Sequence, residues 1–393
     1  MYVRLNIYTL MMIALLPSFM FIPSITILSE FYNSSFSIMQ LSVSLFMVAS
    51  SLLQVLLGPL SDKYGRRPVL LFCLAVLIFS SIGCIFSPSI ELFFLFRILQ
   101  ASAVAGMVIG RAIVIDIYPK KDTVKILSQI AIVLGISSII GPALGGYLIY
   151  INGWKTIFQF ITIITLISII YNFFTFEETN KNLLSNFNMQ VISYKKLLSS
   201  FRFWIYSLIG GFSSSAFFTI LISAPFIGEV IYDLSAFESS LLIIIITSGF
   251  ILGSSVSPFL LNFLNEKKLL VLSMISSSTG LITSFTLYIV FPDNILSIFG
   301  PFFLIGLSNG FISPVALSKV LSIRDDSRGA ASGLNGALIV GFGAIYSAIS
   351  GYLLGYFGAV YIIYIMIFIS LCLTYLTIMH TDDFKIFKRN SIF

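Results

Sequence analysis

Charge is scarce in this chain. Only 10% of its 393 residues are Asp, Glu, Lys or Arg, against roughly a quarter in a soluble domain, too few to cover a water-facing surface. Histidine is nearly absent: His380 stands alone at the end of the last apolar run, where it reads as an interface residue. With no His/Asp cluster, Ser–Lys pair or metal-spaced set, there are no catalytic residues to assign and no metal site, which argues against a membrane-embedded enzyme. The three cysteines, Cys73, Cys84 and Cys372, lie inside apolar runs without Cys-x-x-Cys spacing. They read as small apolar fillers, with neither a disulfide framework nor a zinc site. Also missing is the apolar/polar alternation over about ten positions that an outer-membrane barrel strand requires.

Hydrocarbon is what the chain has in excess. It is 58% hydrophobic and 15% aromatic, with mean hydropathy +1.04. The apolar runs are continuous and of helix-spanning length, so the expected fold class is an all-α integral membrane protein. Twelve spans are predicted, at about 5–28, 39–60, 68–87, 91–116, 124–150, 155–176, 203–228, 237–263, 268–291, 294–319, 328–354 and 357–379. Arg4 followed by an apolar run is similar to a signal peptide, but no small-x-small cleavage site follows, so it is kept as an uncleaved first helix. The long connection 177–202 divides the chain. The expected units are a six-helix bundle over 1–176, a linker over 177–202, a second bundle over 203–379 and a tail over 380–393.

The net charge of +6 describes topology here rather than a nucleic-acid partner. Arg97 and Arg111 fall within a span and Lys155 on one side; all other Lys and Arg fall on the opposite side, the side of both termini. By the positive-inside rule that side is cytoplasmic, and the other carries Glu30, Glu91, Glu229, Asp233, Glu238 and Asp293. Membrane lipid is then the surrounding solvent. Trp154 and Trp204 at span ends fit interface anchoring. A weak internal repeat supports two halves: Gly146-Tyr147-Leu148 recurs as Gly351-Tyr352-Leu353, and Gly153 recurs as Gly358 at the same offset. These fall in the fifth and eleventh spans, which a parallel six-plus-six repeat equates.

Three stretches carry more specific information. Between the second and third spans, Gly58-Pro59-Leu60-Ser61-Asp62-Lys63-Tyr64-Gly65-Arg66-Arg67-Pro68 is the first dense block of charge, and its Gly and Pro residues permit a tight reversal. The fourth span contains Arg97, Gln100 and Arg111 and runs to Asp116. Charge inside a span is costly unless paired or wet and so marks a functional position. At 100° per residue Arg97 and Arg111 lie near one face, roughly 21 Å apart, and Asp116 is placed to pair with Arg66 or Arg67. In the fifth span, Gly141 and Gly145 share a face for close helix contact while Pro142 frees a carbonyl.

Gly-x-Leu-x-Asp-x-x-Gly-Arg-Arg, matched by Gly58, Leu60, Asp62, Gly65, Arg66 and Arg67, resembles the loop signature of the major facilitator superfamily. The resemblance implies two pseudo-symmetric six-helix bundles rocking about a midplane site, with Asp62 as a latch facing the N-terminus of the eleventh helix near Arg328-Gly329-Ala330-Ala331. Arg97 and Gln100 match the family's Arg-x-x-Gln pattern, implicated in proton coupling. Gly141-Pro142-x-x-Gly145-Gly146 is similar to the motif of drug:proton antiporters. Arg111-Ala-Ile-Val-Ile-Asp116-Ile-Tyr-Pro and Ser223-Ala-Pro-Phe-Ile-Gly-Glu229 resemble the Bcr/CflA group of bacterial exporters. The chain departs from that group at Ala101, Ile115 and above all Phe19, where Asp-Met-Tyr-Leu-Pro is replaced by Phe19-Met20-Phe21-Ile22-Pro23.

A proton-coupled exporter needs a group that titrates between its two open states. No acid lies mid-span, so coupling is expected through Asp62 or Asp116 at the inner ends, or through Glu30 or Glu229 if their helices extend far enough. Phe19, Phe21, Phe217 and Phe218 line the pathway or serve ordinary packing. The expected function is proton-coupled efflux of a small neutral or apolar molecule across a bacterial inner membrane by a monomer without a cofactor. The alternative is a metabolite, siderophore or amino-acid-derivative carrier without proton coupling.

Overall fold

The computed structural model describes residues 2–118, 120–180, 194–323 and 328–381. Every regular element among them is helical. Twelve helices are long and apolar enough to cross a membrane: α1 (Asn6–Phe31), α2 (Phe36–Tyr64), α3 (Arg66–Phe86), α4 (Ile90–Val114), α5 (Val133–Asn152), α6 (Lys155–Thr175), α7 (Phe201–Ile231), α8 (Ala236–Leu260), α9 (Glu266–Val290), α10 (Ile295–Leu321), α11 (Ala330–Phe357) and α12 (Tyr361–Met379). In hydrocarbon every backbone N–H and C=O must find a partner inside its own segment, and the helix does this.

Polar residues start these helices where apolar ones could not. Ser35, Ser89 and Ser200 accept the backbone N–H three residues on, and Ser235 forms a reciprocal capping box with Glu238. Asn265 and Asn294 do the same work at α9 and α10, answering N–H groups that the helix itself leaves over. Glycine closes two of them in matching style. Gly153 after α5 has φ +76° and Gly358 after α11 has φ +62°, and each donates its N–H at 2.8 Å to the carbonyl four residues back. The internal repeat read from the sequence is thus a repeat of terminations.

Successive spans alternate in direction, so the bundle has a basic end, with Lys63, Arg66, Arg67, Arg202, Lys267, Lys268 and Lys319, and an acidic end, with Glu30, Glu91, Glu229, Asp233 and Asp293. The reversal expected across 58–68 is narrower than its glycines and prolines suggested. α2 runs on through Gly58 and Pro59 to Tyr64, and Gly65 alone, at φ +101°, turns the chain. Two spans also run further than their apolar stretches indicated: α1 includes Glu30, and α7 includes Glu229. Arg4, the charges of 181–193 and the tail from Lys385 lie outside the described residues or side chains.

Three apolar clusters hold the interior. One has buried members from α1 through α6 only, among them Ile7, Leu74 and Ile161. A second, with Phe203, Ile209 and Ile312, draws its buried members from α7–α12 and the segment before them, and Val55 of α2 packs against its edge. The largest joins both sets: Phe21, Phe36 and Phe46 pack with Phe217, Phe226 and Ile246. It includes Leu28, Phe36, Phe226 and Val360 near the acidic end, whereas the first two reach toward the basic end separately. The tightest contacts among α7–α12 use glycine. Gly249 and Gly253 of α8 lie against the backbone of α10, and Gly306 and Gly310 of α10 return the contact. This interleaved small-xxx-small seam lets two backbones touch.

Candidate functional site

The densest polar network sits at the basic end around Gly65. Arg66 ion-pairs with Asp62 one turn back in α2, and its Nε lies 3.2 Å from Asp116 Oδ2, just past α4. Thr179 donates to the same Asp116 oxygen at 3.2 Å, and Asn180 donates to the Asp62 carbonyl at 2.9 Å. Glu178 accepts from the backbone N–H groups of Arg66 (2.9 Å) and Arg67 (3.0 Å). These are the first amides of α3, unsatisfied by the helix and at its positive pole, where a carboxylate is favoured. Gly65 is required twice: its φ disfavours any other residue, and a Cβ there would strike the Glu178 carboxylate. Arg67 donates to the Phe173 carbonyl at 2.6 Å and lies over that ring.

Of the expected pairings in this loop, Arg66–Asp116 forms. Asp62 has its described partners, Arg66 and Asn180, among residues 1–180. Arg328 and Gly329, which the latch was expected to face, lie outside the described side chains. Tyr194, within the linker, lies beside α2 instead and donates to the Val55 carbonyl at 3.1 Å. Burial, with the Asp62 charge nearby, pushes its phenol up to about 12, so it remains a neutral donor. Sequence reasoning missed the role of Glu178, Thr179 and Asn180, which sit in a linker that looked merely polar; the signal available was an acid directly after a span.

Arg97 is the largest fully buried side chain among the described residues. Its Nη1 donates to Gln100 Oε1 at 2.6 Å and to the Pro17 carbonyl at 3.0 Å, and Gln100 donates onward to Ser81 at 2.8 Å. The guanidinium carbon lies 3.8 Å from the Phe21 ring centre and 4.8 Å from that of Phe46. Ring faces offset part of the desolvation of a charge that has no ion pair among the described residues. Nε and Nη2 are buried without hydrogen-bond partners. Arg97 and Gln100 therefore act together, while Arg111 is set apart by a 3-10 turn at Ala101–Val104 that breaks the even helical phase assumed between the two arginines.

The glycines of α5 form a joint. A Cβ on Gly141 would stand 2.7 Å from Phe19 Cβ, and one on Gly145 would collide with the Met20 carbonyl, where α1 is interrupted by a 3-10 turn at Ile22–Ser24. Gly146 turns the other way: its Cβ position is 2.8 Å from Ser240 Oγ and 3.0 Å from Phe237 Cα of α8. α11 makes the corresponding contact with α2. Gly355 lies against Ser37, Gly351 against Gln40, and Gln40 and Ser44 meet Ser347 at 3.0 and 3.1 Å. The repeated Gly-Tyr-Leu therefore marks two equivalent seams, α5–α8 and α11–α2, by which α1–α6 and α7–α12 touch. Further along the second seam Ser51 donates to the Ala337 carbonyl at 2.7 Å, and Phe218 packs over Gly343 beside Met47. Phe217 packs on Phe250 within α7–α8.

A Major Facilitator Superfamily model matches residues 7–343. The chain belongs to the major facilitator superfamily. It is accordingly a multi-pass membrane transporter fold, and solved structures agree on the architecture. It is similar to the nucleoside transporter NupG (TM-score 0.74, 13% identity, 96% of this chain and 98% of that one). It is also similar to a bacterial homolog of the human lysosomal transporter Spinster in an inward-facing, occupied conformation (TM-score 0.71, 14% identity, 96% of each). Among curated proteins, the uncharacterized MFS-type transporter YdgK of Bacillus subtilis is 28% identical over 84% of each chain. The multidrug transporter MdfA of Yersinia pestis is 30% identical over 58% of this chain and 57% of its own.

Within this superfamily fold, the remaining expected residues divide by surroundings. Trp154 is 6% exposed, not displayed at an interface: it stacks edge-on with Phe93 and Phe158 because that end of the bundle closes around aromatics. Trp204 keeps a span-end place, donating to the Leu198 carbonyl at 2.7 Å. His380 is exposed, its ring nitrogen 2.7 Å from the Leu376 carbonyl. At the acidic end, Glu30 is exposed on the last turn of α1, and Glu229 Oε1 is buried without a hydrogen-bond partner.

Proposed function

We propose that this chain is a proton-driven exporter of small neutral or apolar molecules, of the Bcr/CflA drug-efflux type. It works as a monomer without a cofactor in a bacterial inner membrane, with its basic end and both termini in the cytoplasm. The observation that carries this reading is the seat of the antiporter-like motif. Gly141, Gly145 and Gly146 are pressed between the interrupted α1 and the opposing α8, where a rocking motion must hinge or part. The name of its relative MdfA, a multidrug transporter, supports the same direction. The largest apolar cluster is built from both halves and lies toward the acidic end, whereas the buried members of the other two each come from one half and reach toward the basic end, joined across only by edge contacts such as Val55. That division suits a carrier closed to the exterior and parting toward the cytoplasm. Residues 1–176 and 203–379 are the two moving bodies, and 177–202 tethers them.

Arg97 argues against polycationic cargo. It stands in the interior without a countercharge among the described residues, and an ammonium ion brought beside it would lose hydration with nothing to replace it. A second reading, carriage of a metabolite or amino-acid derivative without proton coupling, is favoured by Phe19, which packs on Gly141 where the resembled group has an acid. An accumulation screen of drugs and metabolites in cells lacking or overproducing the protein, with and without an uncoupler, separates them. Efflux abolished by the uncoupler supports proton drive; efflux that persists supports the facilitator.

A further inference from the structure

α7 changes its winding before it ends. Pro225 cannot donate a ladder hydrogen bond, and Phe226–Ile231 continue as a π-helix, with the Tyr232 N–H reaching the Ile227 carbonyl five residues back at 3.1 Å. Single π turns are uncommon and concentrate where a helix does something other than pack. Glu229 occupies this one.

Its surroundings come from both halves. Thr26 and Glu30 of α1 approach it from the opposite bundle. Phe226, three residues earlier, stacks on Phe36 of α2 at 4.8 Å, and Gly228 lies against Ser239 of α8. The Thr26 hydroxyl lies within hydrogen-bonding reach of the Glu229 carboxyl, but neither it, Glu229 Oε1 nor the fully buried Ser239 Oγ, which packs against Gly228, makes a well-aligned hydrogen bond. Of the titratable groups nearby, Glu30 faces Glu229 with a like charge. Glu238 of α8 is engaged with Ser235, and the Tyr232 hydroxyl donates to the Pro292 carbonyl. No described salt bridge brings a cation to it; Lys155, the cation of this end, lies over Trp154.

We propose that the Glu229 carboxyl, with Thr26 and Ser239 around it, is a proton-binding site of the closure at the acidic end. A neutral carboxyl can donate its O–H to a waiting hydroxyl oxygen and hold the two halves together. An ionised one, with only the Thr26 hydroxyl near it and Glu30 beside it, carries a desolvation and repulsion cost that parting the halves removes. The proton is exchanged with water on the acidic side past exposed Glu30, and no bond other than O–H forms or breaks. By linkage the closed form binds the proton more tightly, so acid on that side closes the gate. This rests on the alternating-access reading and supplies it with a reset signal from the exterior.

The test needs no substrate. Spin labels at Pro88→Cys and Asp293→Cys, one on each half at the acidic end, are placed in a Cys372→Ser background in lipid nanodiscs, and their separation is measured from acid to alkaline pH. A short distance at low pH giving way to a longer one at high pH is expected. E229Q should stay short throughout, and E30Q, which removes the repulsion that parting relieves, should open only at a higher pH or less completely than the wild type. An E229Q protein that follows the wild-type curve, a wild type with no pH response, or an unshifted E30Q each overturns the proposal. A protein that passes this test yet moves no compound in the accumulation screen keeps its proton site and loses only the export reading.

Discussion

At the basic end, Arg66 stands between Asp62 and Asp116 while Glu178 closes over two helix-start amides. At the acidic end, Glu229 buries an oxygen with no cation and no well-aligned donor, near only the Thr26 hydroxyl and beside a second carboxylate. Both regions place acids at span ends, but the first gives them guanidinium and backbone donors and the second surrounds them with rings, glycines and hydroxyls. Charge that is answered by a cation or by backbone donors fixes structure. Charge left unanswered at a contact between moving bodies makes that contact depend on protonation. The same contrast separates the two packing styles: ion pairs tie α2, α3 and α4 within one half, whereas glycine seams, α5–α8 and α11–α2, let the halves meet with few polar commitments.

The largest effect expected from breaking this contrast is at Arg66. R66A leaves Asp62 and Asp116 facing each other without a cation, and losing one partner of a largely buried pair costs about 3 kcal/mol. Thermal unfolding in detergent should show that loss, with transport falling toward background. R66K should recover only part, because an ammonium cannot reach both carboxylates as a planar fork does. E178A is next: two charge-assisted bonds to the first amides of α3 disappear, for about 1 kcal/mol by the same melt. The smallest effect on stability belongs to the acidic end. E229Q should melt at or above the wild-type temperature, since it removes a charge the closed form must keep neutral. If E229Q destabilised the protein as E178A does, the two ends would not differ as described.

How much of this was readable beforehand follows from what each feature depends on. The twelve spans and the charge segregation depend on composition over about twenty residues, which the sequence displays directly. The Arg66–Asp116 pair was legible because both sit at span ends on the same side. Glu178 was not, because its role depends on the linker folding back over Gly65, a contact with no local periodicity. The paired glycines at 249, 253, 306 and 310 were visible as residues but not as a seam, since nothing in either helix alone says which partner it meets. Glu30 and Glu229 were named but placed just outside their spans; the π turn after Pro225 carries α7 a further turn, and apolar run length does not register such a change of winding.

The account depends on the two halves parting at the acidic end during transport. A Cβ at Gly355 would stand 3.0 Å from Ser37 Cβ, so S37C/G355C can be bridged across the α2–α11 seam with an adjustment of a few tenths of an ångström. With the bridge confirmed by mass spectrometry, efflux of a substrate found in the accumulation screen should stop on oxidation and return on reduction, while the reduced protein works at the rate of its single-cysteine parents. Undiminished efflux through the bridged protein would contradict the account.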